Sequence, residues 1–343
     1  MISQLIGAQF SCFIGTSIII YTMPSVVFSN FNSDRRLGQP LYQKFTEYDV
    51  KVRTQTLLEK LKDPKDIYCI FEIEQPTVDA VKTAVQNDYQ CLVGVYNNSQ
   101  QAFRYLVLVP KFYTIVSCQN ICLSKNYTFV ENKDRPQTDD ERRQSSEYMS
   151  ITGGDLFEKA MMFMVLKDES GVKFNLVVTH LGLGVPARLF QSAKLVEWVK
   201  NNISSNDITI IGGDLNSFDP KTETVCTEQM EIFLKDGYTN LVAFNTPTFW
   251  PYDFDIRYML KGDDLKTYDD FIARSKVTNG DSADMVKLAT EFYDFCTDRK
   301  TKVKGNDIAL DNVFVKGIDP SKTSVEIINQ FCNSDHSAIK LWF

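Results

Sequence analysis

The chain has 343 residues, 43% of them hydrophobic and 24% charged, enough apolar material for one large core or two modest ones. Its formal net charge is -7 and its pI about 5.1. That excludes a protein that holds nucleic acid by broad charge neutralisation, but not an enzyme whose local positive charge comes from a bound divalent cation.

In chain order, Leu5 to Met23 is largely apolar but carries Gln9, Ser11, Thr16 and Ser17, with no Lys or Arg ahead of it. It reads first as a strand or hairpin over Ile14–Tyr21, and second as a signal or anchor. Ser25–Phe31 reads as a strand with Asn30 at its exit. Val50–Leu61 has the apolar spacing of an amphipathic helix, stopped at Asp63-Pro64. Asp66–Ile73 is a buried strand whose acidic group near its end, Glu72, is costly to desolvate unless it is paired, metal-bound or reaching solvent. A helix over Pro76–Gln86 and strands over Cys91–Tyr96 and Phe103–Val109 follow, the strands joined by a turn at Asn97–Ser99. Residues 120–155 read as a long exposed loop. Lys159–Leu166 and Lys173–His180 form a hairpin, and Pro186–Asn201 a helix. Beyond a helix over Thr227–Lys235, residues 250–305 read as a mostly helical insertion, for example Met285–Phe295. The strands Ile308–Val315 and Ala338–Phe343 close the chain. No linker splits the core, so one domain over 24–343 is expected, built as two sheets packed face to face with helices outside.

Chemistry concentrates in Ile208–Phe218. The strand Ile208–Ile211 runs into Gly212-Gly213, which allow a tight turn, and then Asp214 and Asn216 stand two residues apart. Side chains at i and i+2 of an extended stretch point the same way. A carboxylate there takes a proton from water or holds a hard cation, and an amide donates to an anionic oxygen. Gly, Asp and Asn are also ordinary turn residues, so this stretch alone reads as a turn or a site. The chain has two histidines, His180 and His336, each beside a strand end, with Thr179 or Asp335 as its neighbour. The eight cysteines include no C-x-x-C pair, and neither histidine lies at zinc-finger spacing from a cysteine pair. Cys69 and Cys91, inside apolar runs, read as reduced core residues, which favours a cytoplasmic location.

Six pieces line up in order: Val27-Phe28-Ser29-Asn30; Asp66–Ile73 with Glu72; Thr179-His180-Leu181 followed by Arg188 and Gln191; Gly212-Gly213-Asp214-Leu215-Asn216; Ala309–Val315 with Asp311; and Ser334-Asp335-His336. Together they resemble the endonuclease/exonuclease/phosphatase (DNase I-like) superfamily, over roughly the whole span from residue 24 onward. The resemblance implies an α/β fold, a four-layered α/β/β/α sandwich, and Mg²⁺, or Mn²⁺ in its place. It implies that Glu72, Asn30 and Asp335 serve the metal, and that Asn30 also helps place the phosphate. Asp214 and Asn216 activate or orient the attacking water and bind phosphate. Asp311 holds His336, which serves the phosphoryl oxygen, and His180 contacts phosphate. Arg188 reads as a phosphate contact or as a helix-surface ion pair.

Three departures stand out. Phe71 replaces the Gln or Asn that usually precedes the metal glutamate. Ala309-Leu310 replaces a basic residue. The W-x-D-R signature of inositol 5-phosphatases is missing near Asp311. The expected function is cleavage of a phosphodiester in nucleic acid or a nucleotide, with a lipid or inositol headgroup second and a catalytically silent binding module third.

Overall fold

The computed structural model describes residues 23–31, 40–95, 103–124, 150, 159–219, 224–243, 246–249, 257, 260–300, 309–329 and 331–343. The strand or hairpin expected over Ile14–Tyr21, the turn at Asn97–Ser99, most of the 120–155 loop and both ends of the 250–305 insertion lie outside these residues. Among the described residues no helix is long and apolar enough to cross a membrane.

β1 (Ser25–Asn30) leads to α1 (Pro40–Lys60), β2 (Ile67–Glu74), α2 (Gln75–Val85), β3 (Tyr89–Val95), β4 (Phe103–Pro110) and β5 (Thr114–Cys122). The hairpin β6 (Ala160–Lys167) and β7 (Lys173–His180) follows, then α3 (Val185–Asn202) and β8 (Ile208–Asp214). Next come a short strand pair, β9 (Phe218–Asp219) and β10 (Thr224–Val225), then α4 (Thr227–Lys235) and β11 (Thr239–Asn240). The chain ends with α5 (Gly262–Ser275), α6 (Ala283–Lys300), β12 (Asp311–Lys316), β13 (Ser324–Ile328) and β14 (Ala338–Trp342).

The strands form two mixed sheets, ordered β13-β14-β1-β2-β4-β3 and β11-β12-β8-β7-β6-β5. Each has one parallel pair near its middle, β1 with β2 and β7 with β8. Alternate residues face inward, as the two-residue period of a strand demands. Val26, Phe28, Cys69 and Phe71 meet Leu176, Val178, Ile210 and Val313 in the layer between the sheets. The opposite faces are covered by helices. Val27, Tyr68 and Ile70 pack under α1 and α2 through Leu57, Val78 and Val81. Val177, Ile211 and Phe314 pack under α3 and α4 through Leu195, Val199, Met230 and Phe233. The result is the expected α/β/β/α sandwich.

Several elements differ from the sequence reading. α1 begins at Pro40, ten residues earlier than expected, because its buried stripe Leu41, Phe45, Asp49, Arg53, Leu57 contains an ion pair that reads as solvent-facing. Arg53 and Asp49 are 0% and 1% exposed, with Nε–Oδ2 at 2.8 Å. Edge strands β5 and β13 fall where no strand is expected. Each turns one face outward, and Ser117, Gln119 and Glu326 hide the apolar alternation. Residues 120–122, expected in the exposed loop, belong to β5 instead.

The glycine turn after Ile211 is also corrected, since β8 runs straight through Gly212 and Gly213 to Asp214. Gly212 is required by the approach of the other sheet: a Cβ there would lie 2.5 Å from the Phe28 ring. Gly213 has φ +145°, and a Cβ there would meet the Thr179 carbonyl oxygen at 1.9 Å. Gly212→Ala is therefore expected to lower the unfolding free energy by about 1–3 kcal/mol in urea denaturation, since Phe28 is buried between two sheets with nowhere to turn. Gly184→Ala, whose added Cβ would meet nothing within 4 Å, should cost less than about 1 kcal/mol in the same measurement.

Candidate active site

Register, more than loop shape, assembles the site. In the second sheet Asp214 of β8 is paired with His180 of parallel β7 on one side and with Asp311 of antiparallel β12 on the other. Three polar side chains thus share one row, on strands spaced by about 4.8 Å. They continue the inward-facing series: 176, 178, 180 on β7; 210, 212, 214 on β8; 315, 313, 311 on β12. Facing them, Asn30 ends the inward series of β1, and Ser334-Asp335-His336 enters β14.

Glu72 breaks the alternation. Between Ile70 and Ile73, β2 carries one more residue than β4 opposite, a β-bulge, and Glu72 adopts φ +55°. Without the extra residue, the position after inward-facing Phe71 would face α1 and α2. With it, Ile73 takes the outward place and Glu72 turns to the site, its Oε1 3.5 Å from His180 Nδ1. A left-handed backbone at a glutamate costs of order 1–3 kcal/mol and persists where the surroundings over-determine it.

Asp214 is the hub. Its Oδ1 accepts the Asn216 backbone N–H at 2.8 Å and its Oδ2 accepts the Asn30 amide at 3.1 Å. The same Oδ2 lies 3.6 Å from His180 Nε2 and 3.8 Å from His336 Nε2. Asn216, at φ +51°, donates its amide to the Leu181 carbonyl at 2.9 Å and lies 3.1 Å from His180 Nε2. Both Asn216 amide hydrogens are thereby engaged, and the arrangement assigns the His180 proton to Nδ1, facing Glu72. His336 Nδ1 meets Asp311 Oδ2 at 2.9 Å. Asp335 is fully buried beside Ser334, whose hydroxyl donates to the Asn30 carbonyl at 2.7 Å.

Electrostatics separates the two imidazoles. Burial drives the His180 pKa well below the usual range, and the charges of Lys159 and His336 push the same way, so its ring is neutral. Burial also opposes charge on His336, but the Asp311 and Asp214 carboxylates overturn it and hold the imidazolium well above its usual range. Burial and the Asp214 carboxylate push the Glu72 carboxyl up to about 7. Burial pushes Asp311 up to about 6, with His336 pulling the other way. The site is a neutral imidazole and a cationic one on either side of crowded carboxylates. Asp214, Asp311 and His336 place ligand-capable atoms within 4.8 Å of one another.

Asn30, Glu72, His180, Asp214, Asn216, Asp311, Asp335 and His336 therefore stand at one end of the sandwich. Arg188 has another place: its guanidinium donates to the Leu183 carbonyl at 2.9 Å and the Phe218 carbonyl at 2.7 Å, holding two loops of the rim. Gln191 likewise accepts the Gly182 N–H at 2.7 Å. Phe71, where an amide is usual, sets its ring edge-on to His180, with centroids 6.4 Å apart.

Two residues escape the sequence reading. Lys159, 7% exposed at the mouth of β6, is a cation that acts on both Glu72 and His180. The signal for it is a lysine directly ahead of a charge-free apolar run in the strand beside the His180 strand. The buried Tyr105 hydroxyl donates to the Ala160 carbonyl at 2.7 Å and accepts the His180 N–H at 3.0 Å. Nothing in a strand tyrosine's sequence context announces that role.

No family model and no curated protein matches the chain. Solved structures do. An endonuclease/exonuclease/phosphatase from Bacteroides vulgatus superposes with TM-score 0.54 at 13% identity, covering 94% of this chain and 98% of that one. A mannosyl-6-phosphatase from Bacteroides thetaiotaomicron gives TM-score 0.53 at 13% identity, covering 93% and 98%. TDP2 from D. rerio, complexed with a single-strand DNA product, gives 0.51 at 13% identity, covering 94% and 98%. At such identity the likeness is one of architecture: the chain has the endonuclease/exonuclease/phosphatase, or DNase I-like, fold.

Proposed function

We propose that the chain is a divalent-metal-dependent hydrolase of phosphate esters, and that its substrate is a phosphodiester in nucleic acid or a nucleotide. The observation that carries this reading is the convergence on Asp214 of Asn30, Asn216, His180 and His336, with Glu72 and Asp311 behind the imidazoles.

The donor set suits a hard cation. Glu72, Asp335 and the Asn30 amide offer oxygen atoms, which magnesium and manganese prefer. Burial first, and the Asp214 carboxylate second, raise the Glu72 carboxyl to about 7, and a bound cation would favour its charged form. His336 fits less well as a ligand: paired with Asp311 as an imidazolium, it has no lone pair to offer. The cation therefore belongs on the Glu72 side, with Asn30 and Asp335. When bound it polarises the phosphoryl group and offsets the negative charge that grows on it.

The chain's own residues supply the rest. Asp214 orients the attacking water and takes its proton, while the Asn30 amide and the Asn216 backbone N–H hold its two oxygens in place. His336, fixed by Asp311, donates from Nε2 to a non-bridging phosphoryl oxygen. Neutral His180, locked by Asn216 and Glu72, walls the other side without adding charge. Lys159 adds a second positive charge to the phosphate's surroundings. TDP2 with bound single-strand DNA supports the diester reading by fold alone. One observation favours a lipid or inositol phosphoester instead: Leu183, three residues beyond His180, is 76% exposed on the rim, where an apolar chain would lie.

A panel of single-stranded DNA, RNA, a nucleotide diester, a sugar phosphate, sphingomyelin and a phosphoinositide, each with Mg²⁺ and with EDTA, tests the reading. Turnover of DNA, RNA or the nucleotide that EDTA abolishes is expected. Turnover of lipid headgroups alone would replace that substrate class, and turnover of nothing would return the fold to a binding role.

Asp214→Asn and His336→Gln are each expected to lower kcat by about a hundredfold or more on the substrate found. Metal-free Asp214→Asn should stay folded with at most a modest fall in urea midpoint, because relief of the repulsion on Glu72 offsets part of the loss of one accepted hydrogen bond and of the pairing with His336. A large loss of stability would make Asp214 a structural residue.

Cation binding should follow Glu72. Its folded-state carboxyl holds a proton up to about pH 7, and that proton must leave before a cation binds. Mg²⁺ affinity is therefore expected to fall as pH drops below about 7 and to level off above it, with proton release on the acid side only. Calorimetric titration in two buffers of different ionisation enthalpy reads both quantities.

A further inference from the structure

Thr248 has no part in the chemistry above, yet it is 0% exposed beside it. Its hydroxyl oxygen accepts two backbone N–H groups, from Leu310 and from Asp311, each at 2.9 Å. Its own carbonyl accepts the Ser337 N–H at 2.7 Å. The next residue, Phe249, makes a β-bridge with His336 and sets its ring edge-on to the imidazole, centroids 5.2 Å apart. Asp311 begins β12 in one sheet and His336 precedes β14 in the other, so the Asp311–His336 pair at 2.9 Å spans the sandwich. Nothing in either sheet's ladder fixes that separation, because ladders act within a sheet. Thr248 holds both sides at once: the start of β12 by its side chain, and the chain entering β14 by its main chain.

We propose that Thr248 is a positioning residue, a staple between the two sheets that fixes Asp311 against His336 and so sets where His336 Nε2 points. The proposal rests on the hydrolytic reading for its kinetic arm only. The geometric part stands on the contacts above. A hydroxyl suits the role because one oxygen accepts two converging N–H donors. Valine has the same shape and cannot.

Thr248→Val and Thr248→Ser test it, with folding followed by circular dichroism. For Thr248→Val, kcat is expected to fall about tenfold with KM within about twofold, the mark of a misaligned group that acts in the transition state. Thr248→Ser, which keeps the oxygen, should restore kcat to within about twofold of wild type. Added to Asp311→Asn, Thr248→Val should cause little further loss, since both act through His336.

The arm that needs no substrate is the ¹H–¹⁵N spectrum of the histidine side chains, which with two histidines is simple to assign. The Nδ1 proton shared by His336 and Asp311 should shift or broaden in Thr248→Val and return in Thr248→Ser. Should the valine protein fail to fold, Thr248→Cys, a weaker acceptor of similar size, is read in the same spectra and is expected to move that proton part of the way. An unmoved His336 proton in the variants overturns the staple, as does equal loss of kcat in Val and Ser variants. A wild type that hydrolyses no ester on the panel overturns the hydrolytic reading instead, and the spectra still decide the staple.

Discussion

The carboxylate of Asp214, 2% exposed at the mouth of an apolar sandwich, is the constraint to which the surrounding chain answers. An acidic group in that position needs donors on every side, because desolvation of a charge without partners costs several kcal/mol. The partners come from far apart in the chain: the Asn30 amide and the Asn216 N–H donate to it, and the His336 imidazolium lies 3.8 Å away. The cost of the arrangement shows on the neighbours. Glu72 and Asp311 hold protons to higher pH than isolated carboxyls, and His336 keeps its charge because Asp311 stands behind it. A purely structural cluster has no reason to gather acidic groups and then leave them repelling one another. The cation and phosphate site proposed above supplies one.

The sandwich reaches this arrangement by continuing its own core. The inward series of β1, β7, β8 and β12 are apolar for most of their length and turn polar at their last or first member, Asn30, His180, Asp214 and Asp311. The parallel pairs β1–β2 and β7–β8 bring their carboxyl ends to the same end of the molecule, and antiparallel β12 and β14 start there. Two departures from regular structure complete the set, and both are local. The bulge at Glu72 turns an outward position inward. The paired glycines of β8 allow Phe28 of the facing sheet and the Thr179 carbonyl to come close enough for the two rows to meet.

Much of this is legible in the sequence because polar groups at strand ends leave a double mark: an apolar run sets the strand, and a polar residue stands at its exit or its entry. His180, Asp214 and His336 all carry that mark, and so does Glu72. What escapes has no such mark. A bulge is invisible at Ile70–Ile73, since the residues would read the same with either register. Gly212 and Gly213 look like a turn because composition does not distinguish a glycine needed for φ from one needed for a neighbour's ring. Lys159 and Thr248 act through groups distant in the chain, and only the fold brings those groups near. Arg188 goes the other way: its charge suggests a phosphate, while in the fold two backbone carbonyls hold its guanidinium.

The same blindness hides half of α1, and the reason bears on how the site is held. Asp49 and Arg53 read as a solvated face, yet they form a buried pair whose arginine donates to the Phe31 carbonyl and lies over the Phe31 ring, its carbon 4.7 Å from the centroid. Phe31 follows Asn30 directly, and its N–H extends the ladder to the Phe71 carbonyl, one residue before Glu72. A buried ion pair adds little net stability over an apolar pair of the same volume, so its value here is directional: it ties a charged donor to one carbonyl oxygen. Leu41 and Phe45 of α1 pack under Tyr268, Phe271 and Phe292 of α5 and α6. Among the described residues the helical insertion thus carries no site residue, yet it packs against the helix whose arginine grips the strand exit bearing Asn30. Loosening that aromatic layer would loosen α1, and through Arg53 the effect would reach the backbone between Asn30 and Glu72.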